Sequence, residues 1–86
     1  MIEQKQKKLE KRLSVIMGHI PGIDWLVRAF DTYDEAKVYH IAIEELNLKL
    51  FNYEHPMFGR KNPLDPDMNV DDGEPDYFVM EVPYAP

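Results

Sequence analysis

The stretch from residue 54 to residue 75, EHPMFGRKNPLDPDMNVDDGEP, limits the fold of this chain more than any other. Its four prolines are Pro56, Pro63, Pro66 and Pro75. Proline lacks a backbone N–H and fixes φ, so neither a helix nor a central strand tolerates several of them. Loops of this length are uncommon in compact domains. We therefore expect the stretch to be functional, partly disordered, or packed on the core through Met57, Phe58 and Leu64.

Residues 2–17, which precede this region, have the spacing of an amphipathic helix. Most of their basic side chains lie off the apolar face. Gly18 suits a helix C-cap position, and Pro21 and Gly22 predict a turn. We therefore predict an N-terminal helix within residues 1–20. Its apolar face consists of Ile2, Leu9, Leu13, Ile16 and Met17.

Residues 24–30, DWLVRAF, predict a strand that carries apolar side chains on both faces. A helix start follows, because Thr32 and Glu35 form a T-x-x-E capping box. In such a box the threonine side chain accepts an early helical N–H, and the glutamate reaches back to the N–H of the cap residue.

Apolar residues then repeat at intervals of three and four from Ala36 to Tyr53, which predicts one long helix. The positions are Ala36, Tyr39, Ile43, Leu46, Leu50 and Tyr53. An alternative ends the helix near Asn47 and makes residues 48–53 a strand, because the leucines there also alternate. The unbroken helical spacing favours the single helix.

The last apolar run, residues 77–83, alternates as a strand that Pro83 ends. The predicted order is helix, strand, helix, loop, strand. The fold class is α+β, with two helices packed on a small two-stranded sheet and a long Pro-rich acidic loop. The single domain, 1–86, comprises an N-terminal helix (1–20), a strand plus long helix (23–56), the loop (57–76) and the C-terminal strand (77–83). Two strands alone are marginal in water, so a homodimer or a strand-adding partner is compatible with this chain.

The 86-residue chain has a net charge of −6 that is unevenly distributed. Residues 1–12 carry five basic side chains, whereas residues 62–86 carry seven acids and no base. Acidic character over most of the chain argues against direct nucleic-acid binding. There is no cysteine, and no apolar run approaches the roughly 20 residues that a membrane span needs. We therefore expect a cytoplasmic protein without disulfides and without a membrane partner.

The acids from residue 65 onward partly fit a calcium-binding loop. Asp65, Asp67 and Asn69 occupy the first three ligand positions of such a loop. Val70 follows where a glycine is required for the turn, and Asp76 stands where a longer glutamate is usual. We therefore predict no specific metal site and no cofactor, and a weak calcium-binding module remains an alternative.

Catalytic signatures are absent from the sequence. The three histidines have no metal-binding spacing, and His40 beside the apolar stripe is predicted to be a half-buried packing residue. Ser14 has no Gly-rich elbow around it, and there is no P-loop or dinucleotide fingerprint. A core this small leaves little room for a water-excluding pocket. We therefore predict no enzymatic activity and no catalytic residue.

The loop does carry the residue types that are enriched at protein interfaces, namely methionine, phenylalanine and arginine. Phe58 is the expected anchor, Arg60 lies at its rim, and the acids supply electrostatic steering. The sequence therefore predicts a non-enzymatic protein-interaction module. Its predicted partner-binding residues are Met57, Phe58, Arg60, Leu64, Asp65, Asp67, Asp71 and Asp72.

Three further interpretations use the same residues differently. Clustered carboxylates imitate phosphates, so the protein could be a nucleic-acid mimic that occupies a basic DNA- or RNA-binding cleft. The sheet could instead complete itself between chains, which would make the protein a homo-oligomeric structural component. In the third, the acids and prolines form a solvated connector that discourages aggregation through a sheet edge.

Two stretches, WLVRAFDTYDEAKVY and NPLDPDM…YFVMEVPY, resemble those of short open reading frames of tailed phages. They cover roughly half of the chain. The resemblance implies a phage-like origin and a bacterial cytoplasm, and it implies no site residues. By analogy with small acidic phage proteins that lack catalytic motifs, we expect a protein that binds and modulates a host or defence protein.

Overall fold

The computed structural model describes residues 11–84, which form a three-stranded antiparallel sheet and one α-helix. The strands are β1 (Lys11–Ile20), β2 (Ile23–Phe30) and β3 (Asp76–Tyr84), and the helix is α1 (Tyr33–Leu50). A short 3₁₀ helix, Val70–Asp72, precedes β3. The order across the sheet is β2–β1–β3, and β1 is antiparallel to both neighbours. The chain therefore passes from one side of β1 to the other through α1 and residues 51–75.

The predicted fold of two helices on a two-stranded sheet is wrong, because residues 11–20 form the central strand β1. The segment KRLSVIMGHI has helical spacing but also a period of two, with Leu13, Val15 and Met17 on one face. The tertiary fold favours the second period, because a central strand pairs its backbone groups on both sides. The observed order is strand, strand, helix, 3₁₀ helix, strand. Residues 1–10 of the predicted helix lie outside the described residues.

Pro21 and Gly22 form the predicted turn, but this turn joins β1 to β2 as a two-residue hairpin. Gly22 has φ 90°, which together with the preceding proline suits a type II turn. Gly18 is not a helix cap. It lies in β1 beneath Trp25, where an added Cβ would be 2.5 Å from Cε2 of the indole. The close approach of the ring therefore requires glycine at this position.

The two predicted strands outside the N-terminal region are confirmed. β2 begins one residue before the predicted 24–30, and β3 extends the predicted 77–83 by one residue at each end. Pro83 does not end β3 but pairs opposite Arg12 within it. Within residues 11–84, β3 is an edge strand, and edge strands tolerate proline.

The capping box at the start of α1 is confirmed. The Glu35 backbone N–H donates to Thr32 Oγ1 over 3.2 Å, and the Thr32 hydroxyl donates to the Glu35 carboxylate over 2.9 Å. The Glu35 carboxylate therefore accepts a hydrogen bond from the side chain of Thr32. The prediction was that it accepts one from the backbone N–H of Thr32.

The helix is shorter than predicted. α1 ends at Leu50, and Tyr53, at the end of the predicted stripe, is 79% exposed. The chain turns back here, and the Gly59 N–H donates to the Leu50 carbonyl over 3.0 Å. The alternative strand at 48–53 is also wrong, because α1 continues past Asn47.

α1 packs against one face of the sheet, which we call the covered face. Its buried core consists of Ile16 from β1, Tyr77 from β3, and Ala36 and Ile43 from α1. Around this core pack the half-buried side chains of Val27, Phe30, Tyr39, Leu64 and Val79. Within residues 11–84, no helix has both the length and the hydropathy needed to cross a membrane.

Residues 51–75 form a series of hydrogen-bonded turns. The Phe58 N–H donates to the His55 carbonyl over 3.0 Å, and the Met68 N–H donates to the Asp65 carbonyl over 3.2 Å. Leu64 packs on the core, and the Tyr39 hydroxyl donates to its carbonyl over 2.5 Å. The predicted packing on the core is shown for Leu64 only, because Met57 is half-buried outside this core and Phe58 is 53% exposed.

Candidate functional site

The structure divides the predicted partner-binding residues into an exposed set and an internal set. Leu64 and Asp65 are internal: the first packs on the core and the second is 0% exposed. Met57 is half-buried. The exposed set consists of Phe58, Arg60, Asp67, Asp71 and Asp72. Binding of a partner by the exposed set stays a prediction, whereas Leu64 and Asp65 have internal contacts.

Asp65 is the centre of a buried polar network beneath the covered face. Trp25 Nε1 donates to its two carboxylate oxygens over 3.1 and 3.2 Å, and the Tyr77 hydroxyl donates over 2.6 Å. A turn holds the aspartate in place, because its own N–H donates to the Asn62 carbonyl over 3.0 Å. The network thus connects β2, the loop and β3 through one side chain.

The network also changes the acidity of the tyrosine. Burial, the hydrogen bond to the Asp65 carboxylate and the negative charge of that carboxylate raise the pKa of the Tyr77 hydroxyl well above its ordinary value. The neighbouring Asn47 amide acts in the opposite direction. Tyr77 therefore holds its proton firmly as a donor, which suits a structural role and not a general base.

A second buried cluster adjoins the first. The Leu64 N–H donates to Asn62 Oδ1 over 2.9 Å, so Nδ2 of Asn62 must point the other way. That nitrogen donates to the Ile43 carbonyl over 3.2 Å and to Asn47 Oδ1 over 2.8 Å. The orientation of Asn47 is thereby determined as well. Its Nδ2 lies beside the Tyr77 hydroxyl but forms no hydrogen bond of good geometry among residues 11–84.

The residues of the calcium hypothesis do not surround a common point. The Asp65 carboxylate faces Trp25 and Tyr77, and the Asn69 side chain accepts from the Asp71 N–H over 3.0 Å at the start of the 3₁₀ helix. In the part of the chain from residue 11 to residue 84, no group of three histidine, aspartate or glutamate side chains could hold a metal ion.

The surface that the sequence interpretation missed is the side of the sheet opposite α1, which we call the open face. Cross-strand pairs place its residues beside one another: Val15 pairs with Ala29 and Met80, and Met17 pairs with Leu26. Leu26 is 53% exposed and Met80 is 40% exposed, whereas Val15 on the central strand is 6% exposed. The open face consists of Leu13, Val15, Met17, Leu26, Ala29, Phe78, Met80 and Val82.

A signal for the open face was present in the sequence. Residues 13, 15 and 17 are apolar and alternate, and so are residues 78, 80 and 82. Period-two patterns predict strands with one apolar face. Because residues 2–17 were interpreted as a helix, the alternation at residues 13, 15 and 17 was not recognised as the apolar side of a third strand.

Comparisons with protein-family models, with curated proteins and with solved structures give no match for this chain.

Proposed function

We propose that this protein is a non-enzymatic interaction module that binds another protein. The single observation that carries the proposal is the open face. Its exposed apolar side chains lie on the two outer strands, where Leu26, Phe78 and Met80 are 53%, 38% and 40% exposed, whereas Val15 of the central strand is buried. Contiguous exposed apolar surface on a small domain marks an interaction site more often than isolated apolar residues do.

The composition of the open face supports the same proposal. Phenylalanine and methionine are enriched at the centres of protein interfaces, and methionine adapts its shape to a partner. Phe58, which lies beside Leu50 and Val70 at the end of α1, and Arg60 are separate candidate contacts on the loop. Leu64 and Asp65 are left out of the proposed contacts, because their side chains serve the core and the buried network.

The proposal includes no catalytic step. The buried titratable pair, Asp65 and Tyr77, is engaged with itself and with Trp25. The resemblance to phage reading frames supports a phage-type protein that modulates a host or defence protein in the bacterial cytoplasm. Binding through the open face would achieve this by occupying a surface on the target.

Site-specific photo-cross-linking in bacterial cells tests the proposal. Benzoylphenylalanine replaces Phe78 on the open face, and in the matched control it replaces Tyr53, which is 79% exposed elsewhere. We expect a discrete cross-linked product from position 78 and none from position 53. Products from both positions, or from neither, would contradict binding through the open face.

A charged substitution gives the complementary test. Met80→Glu introduces a carboxylate on the open face, and Val38→Glu introduces one at a 70% exposed position of α1. We expect Met80→Glu to abolish the cross-linked product from position 78 and Val38→Glu to leave it unchanged, because a carboxylate is costly to bury in an apolar interface. Equal loss in both variants would indicate a general effect of charge.

A further inference from the structure

A groove of about 330 Å³ lies between α1 and the start of β3, apart from the open face. One of its walls is a single side of α1, where Ile41 and Leu48 are separated by seven positions, or two helical turns. Both side chains are exposed, at 48% and 70%. The groove therefore offers apolar contact that the fold itself leaves unused.

The rim of the groove is acidic. It carries four acids, and within residues 11–84 no basic side chain lines it. These acids are Glu44, Glu45, Glu74 and Asp76. They are spread along two elements, and no three of the described acidic or histidine side chains converge on a metal position. An extended cation with an aliphatic stem fits this arrangement better than a compact metal ion does.

Asn47 closes the floor of the groove beside Tyr77. The residue is 2% exposed, and its Nδ2 lies inside the fold next to the Tyr77 hydroxyl. The floor therefore offers no donor to a ligand, and recognition depends on the apolar wall and on the acids of the rim.

We propose that this groove binds a basic peptide segment of a partner protein. The aliphatic stem of an arginine or lysine packs between Ile41 and Leu48, and its charged end reaches the acids of the rim. Arginine suits the site especially, because its guanidinium forms paired hydrogen bonds with carboxylates.

This binding rests on the proposed role as an interaction module but not on the open face, because the two surfaces share no residue. The chemistry of the groove indicates which class of peptide segment it binds. The open face is proposed to form a different contact with a partner protein.

Fluorescence anisotropy with the full chain tests peptide binding. The probe is a fluorescein-labelled peptide, Gly-Ser-Arg-Arg-Ser-Gly, and its neutral control carries citrulline in place of each arginine. We expect the citrulline peptide to bind at least about tenfold more weakly, because the rim acids then lose their charged partner. Equal affinities for the two peptides would overturn the proposal, and so would the absence of binding by the arginine peptide.

A matched pair of variants locates the site. Leu48→Arg places a cation in the groove, and Val38→Arg places one on α1 outside it. Leu48 and Val38 are each 70% exposed, so neither substitution disturbs the core. We expect Leu48→Arg to weaken binding by about tenfold or more and Val38→Arg to change it less than about twofold. Equal weakening would mean attraction to the overall charge of the protein.

A second pair separates the rim acids from the acids of the loop. Glu45→Gln with Glu74→Gln, and Asp71→Asn with Asp72→Asn, change the net charge by the same amount. Only the first pair lines the groove. Weakening confined to the first pair supports the site. Equal or greater weakening by the second pair would overturn it and would favour nucleic-acid mimicry by the loop.

Nuclear magnetic resonance locates the bound peptide. The backbone N–H signal of Leu48, which lines the groove, should shift when the arginine peptide is added, and that of the exposed Asn52 should not. No shift at Leu48 would overturn the site. Met80→Glu should leave peptide binding intact, so a failure of the open face and a failure of the groove are distinguishable.

Discussion

The two faces of the sheet differ in which kind of side chain they bury and which kind they expose. On the covered face, Asp65 from the loop, Tyr77 from β3 and the half-buried Trp25 from β2 form a closed set of hydrogen bonds. The open face exposes apolar groups, with Leu26 at 53% and Met80 at 40%. The first arrangement is complete within the chain, whereas the second leaves apolar surface in contact with water.

This difference shows which acids serve the fold and which remain for other roles. Burial is tolerable for the carboxylate of Asp65 because it accepts hydrogen bonds from two side chains. Asp67, two positions later, is exposed and free of this constraint. The same acidic stretch therefore contains a structural anchor and solvated charges, and composition does not separate them.

The largest effect is expected from removal of the anchor. Asp65→Ala leaves the Trp25 N–H and the Tyr77 hydroxyl buried without their acceptor, at about 1–3 kcal/mol for each group. We therefore expect the free energy of unfolding, measured by urea denaturation, to fall by about 2–6 kcal/mol. Asp67→Ala is the control and should change it by less than about 0.5 kcal/mol. Similar losses in both variants would mean that the network contributes little.

Truncation of apolar residues compares the two faces directly. Ile16→Ala on the covered face removes a 0% exposed side chain and should cost about 2–5 kcal/mol. Leu26→Ala on the open face should cost less than about 1 kcal/mol, because more than half of its side chain is already in water. The same denaturation experiment measures both. A large loss for Leu26→Ala would show that the open face is packed in solution.

A smaller effect is expected where β1 passes beneath the indole. Gly18→Ala places a methyl group 2.5 Å from Trp25 Cε2, so the ring must move. We expect a loss of about 1–3 kcal/mol, as for other overpacked sites, together with a shift in tryptophan fluorescence. Leu13→Ala, a change at a half-buried position of the same strand, serves as the fluorescence control. An unchanged emission spectrum in Gly18→Ala would contradict the stacking of Trp25 on β1.

The last prediction concerns alkaline pH. Below about pH 10 both the folded and the unfolded chain keep the Tyr77 proton, and above it only the folded chain does. Unfolding then releases a proton, so the free energy of unfolding should fall by about 1.4 kcal/mol per pH unit. Tyr77→Phe should remove this part of the slope. Tyr53→Phe, at an exposed position, should not, and equal slopes in wild type and Tyr77→Phe would exclude the buried hydroxyl as the cause.

Sequence reasoning succeeded where local chemistry decides the conformation. The Thr32–Glu35 capping box, the turn at Pro21 and Gly22, and the strand β2 all depend on neighbouring residues, and all are confirmed. It failed for β1, where helical and strand periods coexist within one short segment. Pairing with two distant strands decided that segment, and no local pattern reports such pairing.

The same division applies to the candidate sites. The eight loop residues were chosen by type, and type does not report burial: Phe58 is half in water although it is aromatic, and Asp65 is fully buried although it is charged. The open face and the groove of Asn47 escaped notice because each joins residues that are distant in the sequence.

The sequence by itself determined the charge balance, the capped helix, the hairpin turn and the stretch in which proline prevents regular strands and long helices. Only the tertiary structure decided that β1 is the central strand, that Asp65 faces inward, and that Asn47 Nδ2 lies beside the Tyr77 hydroxyl. The physical reason is that capping, turns and proline act over a few residues. Strand pairing and the hydrogen-bond partners of a buried group depend on which distant segments the fold brings together.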